Sequence, residues 1–304
     1  ETEYCIGIIP LGGYVKMAGE TPGEEITGKS DEFASKTASV RFLVVLAGPF
    51  MNFALAVILY FGIVYFHGVP TIDEDRAVIG TVSEEMPAAQ AGILPDDIII
   101  AIDSTPVTGF DSLVSLVKPR VEEDLLVTWT NGVDTTSAVI RTKSAVIPKQ
   151  DGTVDTVGQI GVSQKVFYER TKGLGESMWY GVTYSTEVSI RILSFVGDYV
   201  SGNVAANSVG GPLFIAKQSA QAAKSGLVSF LTFMAFLSIN LAVLNIMPIP
   251  VLDGGHMLFI LIEKIKGSPL SMKVRMGAQQ VGMVFLFGFI LFVSWNDVMR
   301  WIGN

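Results

Sequence analysis

The chain has 304 residues, of which 49% are hydrophobic and only 16% are charged, and its net charge is −8 at pH 7. Soluble globular proteins carry about 25% charged residues, so the composition argues against an ordinary soluble protein, and it excludes a disordered chain, which would be poor in large apolar residues. One cysteine excludes a disulfide scaffold or a cysteine-based zinc cluster, and the acidic balance argues against nucleic acid as a partner, which needs a basic face.

Three stretches of the sequence are long and apolar enough to cross a membrane. A helix needs about 20 apolar residues to cross the hydrocarbon core of a bilayer. The stretches Phe42–Phe66, Leu227–Met247 and Gly277–Trp295 contain no charged residue. Buried core helices of a soluble protein are the alternative interpretation, but such helices are rarely free of charge over this length. We therefore predict three transmembrane helices.

Lysine and arginine placement indicates the orientation in the membrane. Two short segments carry lysine and arginine close to a membrane end: residues 1–41, which also contain seven acidic residues, and the loop between the second and third spans. Their basic residues include Lys16, Lys29, Lys36 and Arg41 in the first segment, and Lys264, Lys266, Lys273 and Arg275 in the second. Three crossings put both segments on one side, which we predict to be the cytoplasm. Residues 70–225, with 19 acidic and 12 basic residues, then lie outside the cytoplasm.

The region after the first span alternates short β-like runs with two helical patterns. A turn at Asn131-Gly132 joins two of the strands, Gly92 is available to end the first helix, and Asp111 is predicted as the N-cap of the second. The predicted strands are Val78–Val82, Ile98–Ile102, Leu125–Thr130, Ser137–Thr142 and Val157–Ser163, and the predicted helices are Pro87–Ala91 and Asp111–Val117.

Residues 86–107, MPAAQAGILPDDIIIAIDSTPV, resemble the core of a PDZ domain of the bacterial protease type. PDZ domains bind extended peptides by adding a strand to an open sheet edge. The resemblance therefore implies a peptide or protein ligand, although the sequence does not identify the groove that binds it. A generic β-domain spacer is the alternative.

The connector at 166–226 contains an amphipathic helical pattern over Tyr180–Gly202, in which Glu187, Arg191 and Asp198 interrupt apolar positions. Such a helix lies on a membrane surface or packs against other helices. Membrane lipid is therefore a predicted partner. The segment Ser208–Gly211 ends the pattern.

The second span ends in NLAVLNIMPIPVLDGGH, residues 240–256. Pro248 and Pro250 each remove a backbone donor, so the helix cannot continue normally. Asp253 follows, and an ionisable residue beside a broken helix at membrane depth is a functional candidate. The alternative is that Asp253 only caps a helix that begins near Gly254.

Four motifs, in order, resemble the site-2 protease family of intramembrane zinc metalloproteases. They are GIIPLGGYVKMAGE (7–20), AGPFMNFALA (47–56), SVGGPLFIAKQSAQAAKSG (208–226) and NIMPIPVLDGGH (245–256). With a PDZ domain between the family's second and third helices, the chain resembles the bacterial branch that cleaves membrane-bound anti-sigma factors. The resemblance implies a polytopic α-helical protein of the inner (plasma) membrane with an inserted α+β PDZ domain, and cleavage within transmembrane segments of its substrates.

The resemblance also implies roles for individual residues. Asp253 matches the family's third zinc ligand, so Zn²⁺ is the implied cofactor, and Asn245 matches a residue that holds the substrate or the reacting group. Gly12 and Gly13 lie in the implied hairpin and would offer an edge to a locally unwound substrate. The implied organisation is a cytoplasmic membrane-associated β-hairpin loop at 1–41, a transmembrane helix at 42–69, the PDZ domain at 70–165, the connector at 166–226, and two transmembrane helices with the zinc-ligand motif at 227–304.

The sequence lacks the family's first signature, H-E-x-x-H, whose histidines bind zinc and whose glutamate activates water. Of its two histidines, His67 is predicted to be an interfacial residue at the end of the first span, and His256 is predicted to be structural or to support the site without binding the metal. Because the chain starts at Glu1, directly before the hairpin motif, we expect an N-terminal truncation, with the general-base glutamate upstream and the fragment inactive alone. A catalytically inactive membrane-anchored PDZ adaptor is the alternative. A small transporter has only the broken helix in its favour and lacks paired repeats.

Three further charged residues lie near predicted membrane ends. They are Arg41, Asp198 and Glu263. We interpret all three as ordinary interfacial residues.

Overall fold

The computed structural model describes residues 32–148, 154–170, 173–204 and 208–302. Gly12, Gly13 and most of the predicted hairpin loop lie outside the described residues. The contacts divide the chain into two compact units, one formed by residues 1–55 and 237–295 and the other by residues 56–236 and 296–304.

The described α-helices are of two kinds, long apolar ones and shorter amphipathic ones. In chain order they are α1 (Ala38–His67), α2 (Pro87–Gln90), α3 (Phe110–Val117), α4 (Leu174–Val200), α5 (Pro212–Lys224), α6 (Leu227–Ile246), α7 (Asp253–Lys266) and α8 (Met272–Ile302). A single 3-10 turn, Phe33–Ser35, precedes α1.

The described strands all lie between α1 and α4. In chain order they are β1 (Val69–Ile72), β2 (Ala77–Val82), β3 (Ile98–Ile102), β4 (Thr105–Pro106), β5 (Asp124–Thr130), β6 (Thr135–Arg141), β7 (Lys143–Pro148), β8 (Val154–Gln159), β9 (Val162–Gln164) and β10 (Val166–Glu169).

Three of the described helices are long and apolar enough to cross a membrane, as predicted. They cover Ala38–His67, Leu227–Ile246 and Met272–Met299. Many of their large apolar side chains are exposed, which suits helices that face lipid. The first and third begin before the predicted spans, so that Arg41 and Arg275 lie in their first turns. The chain is therefore a multi-pass membrane protein.

A six-stranded antiparallel sheet forms the centre of the inserted domain. Its path runs β6-β5-β3-β2-β9, and β4 pairs with β3. In β5, Leu125, Val127 and Trp129 alternate towards the core, as expected for a strand with one buried face. Ala88 of α2 and Leu113 of α3 belong to the same buried cluster. The α+β fold and its element order agree with the predicted PDZ domain.

The last predicted strand of this domain is wrong in one respect. Residues 157–163 belong to two strands, because β8 ends at Gln159 and β9 begins at Val162. Between them Gly161 has a φ angle of +88°, a left-handed conformation that interrupts an extended chain. The two halves of the predicted strand therefore pair with different partners, β8 with β7 and β9 with β2.

The predicted N-cap of α3 is also wrong. The helix begins at Phe110, so Gly109 occupies the N-cap and Asp111 lies in the first turn. Gly109 has a φ angle of +146°, and a β-carbon at this position would collide with the carbonyl oxygen of Glu74. The close approach of two backbones selects glycine here, and the charge of Asp111 suits the helix dipole instead.

The predicted amphipathic helix is present as α4 and packs against α1. Ser177, Gly181 and Ser185 are buried at intervals of four residues. A β-carbon at Gly181 would lie 2.8 Å from the carbonyl oxygen of Val57, so glycine lets the two helices approach closely. Of the two alternatives that the sequence leaves open, the described residues thus show packing against another helix.

Candidate functional site

The segment between α6 and α7 is irregular, as its two prolines predict. α6 ends at Ile246, and α7 begins at Asp253. Short backbone hydrogen bonds hold the segment: the N–H of Ile249 donates to Met247 O at 2.7 Å, and the N–H of Leu252 donates to Ile249 O at 2.9 Å. These bonds partly replace the helical ones that the prolines cannot make.

Two glycines let the start of α7 pack directly onto this segment. Gly254 and Gly255 are both buried. A β-carbon at Gly254 would collide with the carbonyl oxygens of Ile246 and Met247, and one at Gly255 would collide with that of Ile249. The paired glycines therefore fix where α7 begins, and hence where Asp253 lies.

Asp253 is half-buried and faces α1. A β-carbon added at Gly48 would lie 3.1 Å from Asp253 Oδ2, so the absence of a side chain at Gly48 leaves room for the carboxylate. The N-cap position of α7 is occupied by Leu252, and Asp253 is the first helical residue. The alternative interpretation of Asp253 as the N-cap is therefore wrong, although its negative charge still suits the helix N-terminus.

Asn245 lies in the last turn of α6, at the other end of the irregular segment from Asp253. It is half-buried. Earlier in α6, the buried hydroxyl group of Ser238 links this helix to α1, because Ser238 Oγ donates to the carbonyl oxygen of Asn52 at 2.8 Å. Such polar contacts join helices where water is excluded. Asn245 and Asp253 are thus carried by helices that both contact the first half of α1.

The described residues supply only part of a zinc site. A catalytic zinc site takes three protein ligands plus water, and a carboxylate oxygen is a suitable ligand. Among the described residues, no group of three His, Cys, Asp or Glu side chains lies close enough together to hold a metal ion. Asp253 therefore fits as one ligand, and the described residues alone do not form a complete zinc site.

Glu263, near the end of α7, is the charged residue that the sequence interpretation placed wrongly. Its side chain is only 5% exposed, so it is not an ordinary interfacial residue. Oε2 lies 3.2 Å from a guanidinium nitrogen of Arg41, and Oε1 accepts from Arg275 and from the N–H of Leu270. A signal was present in the sequence, since Met257, Ile260 and Glu263 recur every three residues on the buried face of α7.

A second buried carboxylate has a structural role. Asp297 of α8 is 6% exposed. Its Oδ1 accepts from the N–H of Gly211, and its Oδ2 accepts from the N–H of Phe214, both at 3.0 Å. These are donors at the N-terminus of α5, where the N-cap is glycine. Asp297 therefore supplies the cap that α5 lacks.

The inserted domain contains a groove that sequence reasoning did not find. A cavity of 560 Å³ lies between α3 and the chain that leads into β9. Leu113 and Val117 line it from α3, and Ile160, Gly161 and Val162 line it from the turn before β9 and the first residue of β9. β9 is the last strand of its sheet and pairs only with β2 among the described strands. An apolar groove beside an open strand edge can accept an extended peptide.

Comparisons with known proteins show which family this chain resembles. The profile of peptidase family M50 matches residues 1–289. A putative zinc metalloprotease of Agrobacterium fabrum is 31% identical over 99% of this chain and 83% of its own length. The regulator of sigma E protease of Haemophilus influenzae is 28% identical over 98% of this chain and 87% of its own length. The regulator of sigma-W protease RasP of Bacillus subtilis is 33% identical over 91% of this chain and 64% of its own length.

Among solved structures, the PDZ domain of an SdrC-like protein from Listeria monocytogenes aligns with 31% of this chain and with 92% of its own length, with 18% identity and a TM-score of 0.24.

The family match includes all four sequence motifs, from the hairpin motif to the segment that carries Asp253. Because that match covers nearly the whole chain, and relatives align with most of their own length, this chain belongs to peptidase family M50, the site-2 protease family of zinc metalloproteases.

Proposed function

We propose that this chain forms part of an intramembrane zinc endopeptidase in which Asp253 is a zinc ligand. The observation that carries the proposal is the position of Asp253 at the first residue of α7, with its carboxylate against Gly48 of α1. The carboxylate is held between two helices by a backbone that the paired glycines fix. Such a fixed oxygen donor is what a catalytic metal site requires.

The other ligands and the general base would, in this proposal, come from the family's H-E-x-x-H helix, a signature that residues 1–304 do not contain. Three protein ligands are needed, and the described residues supply Asp253. When bound, zinc would polarise the scissile carbonyl and lower the pKa of its water to about 7. Residues 1–304 without that helix are then expected to be inactive.

Asn245, Gly12 and Gly13 are proposed to bind the substrate. A peptide bond within a helix is shielded, so the substrate must unwind locally and its free backbone groups need partners. The amide of Asn245 offers both a donor and an acceptor in the last turn of α6. Gly12 and Gly13, which lie outside the described residues, would present a strand edge.

The proposed substrates are membrane-bound anti-sigma factors, in the inner membrane. Two of the relatives are named as regulators of sigma E and sigma-W. Exposed basic residues at the junction of α7 and α8 support a cytoplasmic location for that loop; they are Lys264, Lys266 and Lys273. The PDZ domain would then lie on the extracytoplasmic side.

The groove between α3 and β9 is proposed as the peptide site of the PDZ domain. An extended segment would add to the free edge of β9, and its side chains would enter the apolar cavity beside Leu113 and Val117. This groove would let the domain select or hold proteins whose exposed ends have been trimmed.

The test is Asp253→Ala in the full-length protein, with cleavage of a membrane-bound substrate as the measurement. We expect cleavage to fall to background, because the zinc site loses a ligand, and bound zinc to be lost in parallel. Asp134→Ala, at an exposed hairpin turn, is the matched control and is expected to retain full activity. Cleavage that survives Asp253→Ala would contradict the proposal.

A further inference from the structure

Glu263 joins three elements of its unit. It lies on α7, Arg41 lies in the first turn of α1, and Arg275 lies in the first turn of α8. The two arginines use different oxygens of the same carboxylate, and the backbone of Leu270 in the α7–α8 loop donates to it as well. Glu263 thus holds α7 to both neighbouring helices at one point.

This arrangement is not an efficient source of stability. Two cations share one buried anion, and the Nε atoms of Arg41 and Arg275 are buried without a hydrogen-bond partner among the described residues. Buried ion pairs add little over well-packed apolar side chains, and their best-attested role is to fix the register of packed helices. The cluster of Arg41, Glu263 and Arg275 therefore has the features of a contact that fixes the register of the helices.

Besides the ion pair of Glu263 with Arg41, α7 meets α1 where Asp253, the proposed zinc ligand, lies. Asp253 faces Gly48, and Glu263 pairs with Arg41. The order of the contacts is opposite on the two helices, so α7 runs antiparallel to the first half of α1. A shift of α7 by one turn along α1, about 5 Å, would separate Glu263 from Arg41, and the same shift would move Asp253 away from Gly48.

We propose that Glu263 is a positioning residue that sets Asp253 against α1, through Arg41. The proposal rests on the proposed function, in which Asp253 is a zinc ligand. Arg41 transmits the effect because it lies on the helix that Asp253 faces. Arg275 belongs to α8, so its pair with Glu263 does not determine the register of α7 on α1.

The first measurement is independent of activity. Gly48→Cys and Asp253→Cys are introduced together into the full-length membrane protein, with Cys5 and any upstream cysteine changed to serine, and disulfide formation is followed after addition of copper phenanthroline. We expect efficient cross-linking, its loss on Glu263→Gln or Arg41→Gln, and its retention on Arg275→Gln. Glu187→Gln, which breaks an exposed ion pair on α4, is the matched control and leaves cross-linking unchanged.

The second measurement uses the protein with Gly48 and Asp253 intact. A misplaced ligand weakens metal binding, and loss of a supporting partner typically lowers metal affinity about tenfold or more. Glu263→Gln is expected to raise the zinc concentration for half-maximal cleavage about tenfold, with activity restored by added zinc. A merely unfolded fraction would not shift this concentration.

Several results would overturn the proposal. Unchanged cross-linking in both Glu263→Gln and Arg41→Gln would do so, as would an equal loss in Arg275→Gln, or an unaltered zinc requirement in Glu263→Gln. If Glu263→Gln does not accumulate, the comparison of Arg41→Gln with Arg275→Gln decides alone. Cleavage that is insensitive to Asp253→Ala would instead contradict the proposed function, and the cross-linking result would still report the register.

Discussion

At the scale of single residues, the glycines around Asp253 matter as much as the carboxylate itself. Gly48 leaves space for the carboxylate, and Gly254 and Gly255 allow the backbone of α7 to touch the segment that leaves α6. A side chain at any of these positions would displace the aspartate from its observed place. The site is therefore shaped largely by missing β-carbons.

Gly254→Ala tests this. The added methyl group would collide with two carbonyl oxygens, so α7 must shift, and a misplacement of about 1 Å in a catalytic group can lower the rate about 100-fold. We expect a loss of that order in the cleavage rate of the full-length protein. Gly288→Ala is the control, because no heavy atom of the described residues lies within 4 Å of the position of its β-carbon. Equal rates in the two variants would contradict the role of Gly254.

The sequence predicted Asp253 as a site residue through its motif, but it could not predict the environment of Glu263. Near the end of an apolar helix, a glutamate that is followed by two lysines, Lys264 and Lys266, resembles an interfacial residue. Its position on the buried face of α7 follows a local spacing, but its partner Arg41 is 222 positions away in the chain, and no local pattern predicts that pairing.

At the scale of elements, close contact between α1 and α4 joins the membrane helix to the segment that follows the PDZ domain. The contact places Gly181 beside Val57 and brings the rings of Tyr60 and Tyr184 to 4.8 Å in an edge-to-face arrangement. Burial and the neighbouring Tyr184 raise the pKa of Tyr180, on the same helix, to about 12. Tyr180 therefore remains neutral at physiological pH.

Replacing two glycines of α4 by alanine is expected to change the stability of the protein in opposite directions. Gly→Ala in a helix interior normally stabilises by about 0.5–1 kcal/mol, and Gly197→Ala should show this gain because no described heavy atom lies near its β-carbon. Gly181→Ala should instead destabilise by about 1–3 kcal/mol through overpacking against α1. Thermal unfolding of the detergent-solubilised protein measures both. Destabilisation that is equal in the two variants would show that α4 does not pack on α1 through Gly181.

Element types were mostly predictable because they depend on local periodicity and length. Ile98–Ile102 is a strand within the predicted bounds, and α6 ends within one residue of the prediction. The errors occur at Gly109 and Gly161, where positive φ angles decide the boundary. Those angles follow from close approaches to other parts of the chain, which the sequence does not display.

At the scale of the whole molecule, the three membrane helices place the segments that connect them on alternate sides of the membrane. Val133 lies in an exposed hairpin between the first two spans, and Ser268 lies in the loop between the last two. The basic residues around Ser268 favour the cytoplasm for that loop. The PDZ domain is then expected on the opposite side.

Cysteine labelling tests this orientation. In a cysteine-free background, Val133→Cys should react with a membrane-impermeant maleimide in intact spheroplasts, whereas Ser268→Cys should react only after permeabilisation. Both residues are exposed, so the difference reports the membrane barrier and not burial. The reverse pattern of labelling would contradict the proposed orientation.

The sequence by itself determined the three spans and the inserted α+β domain, because apolar length and strand alternation are local properties of the chain, and its motif predicted Asp253 as a site residue. Only the tertiary structure decided that Gly48 faces Asp253, that Glu263 is buried between two arginines, and that Asp297 caps α5. The contact of Asp297 with Gly211 spans 86 positions of the chain, and that of Glu263 with Arg41 spans 222. A buried charge is stable only where such distant partners meet it, and their meeting is a property of the packed helices.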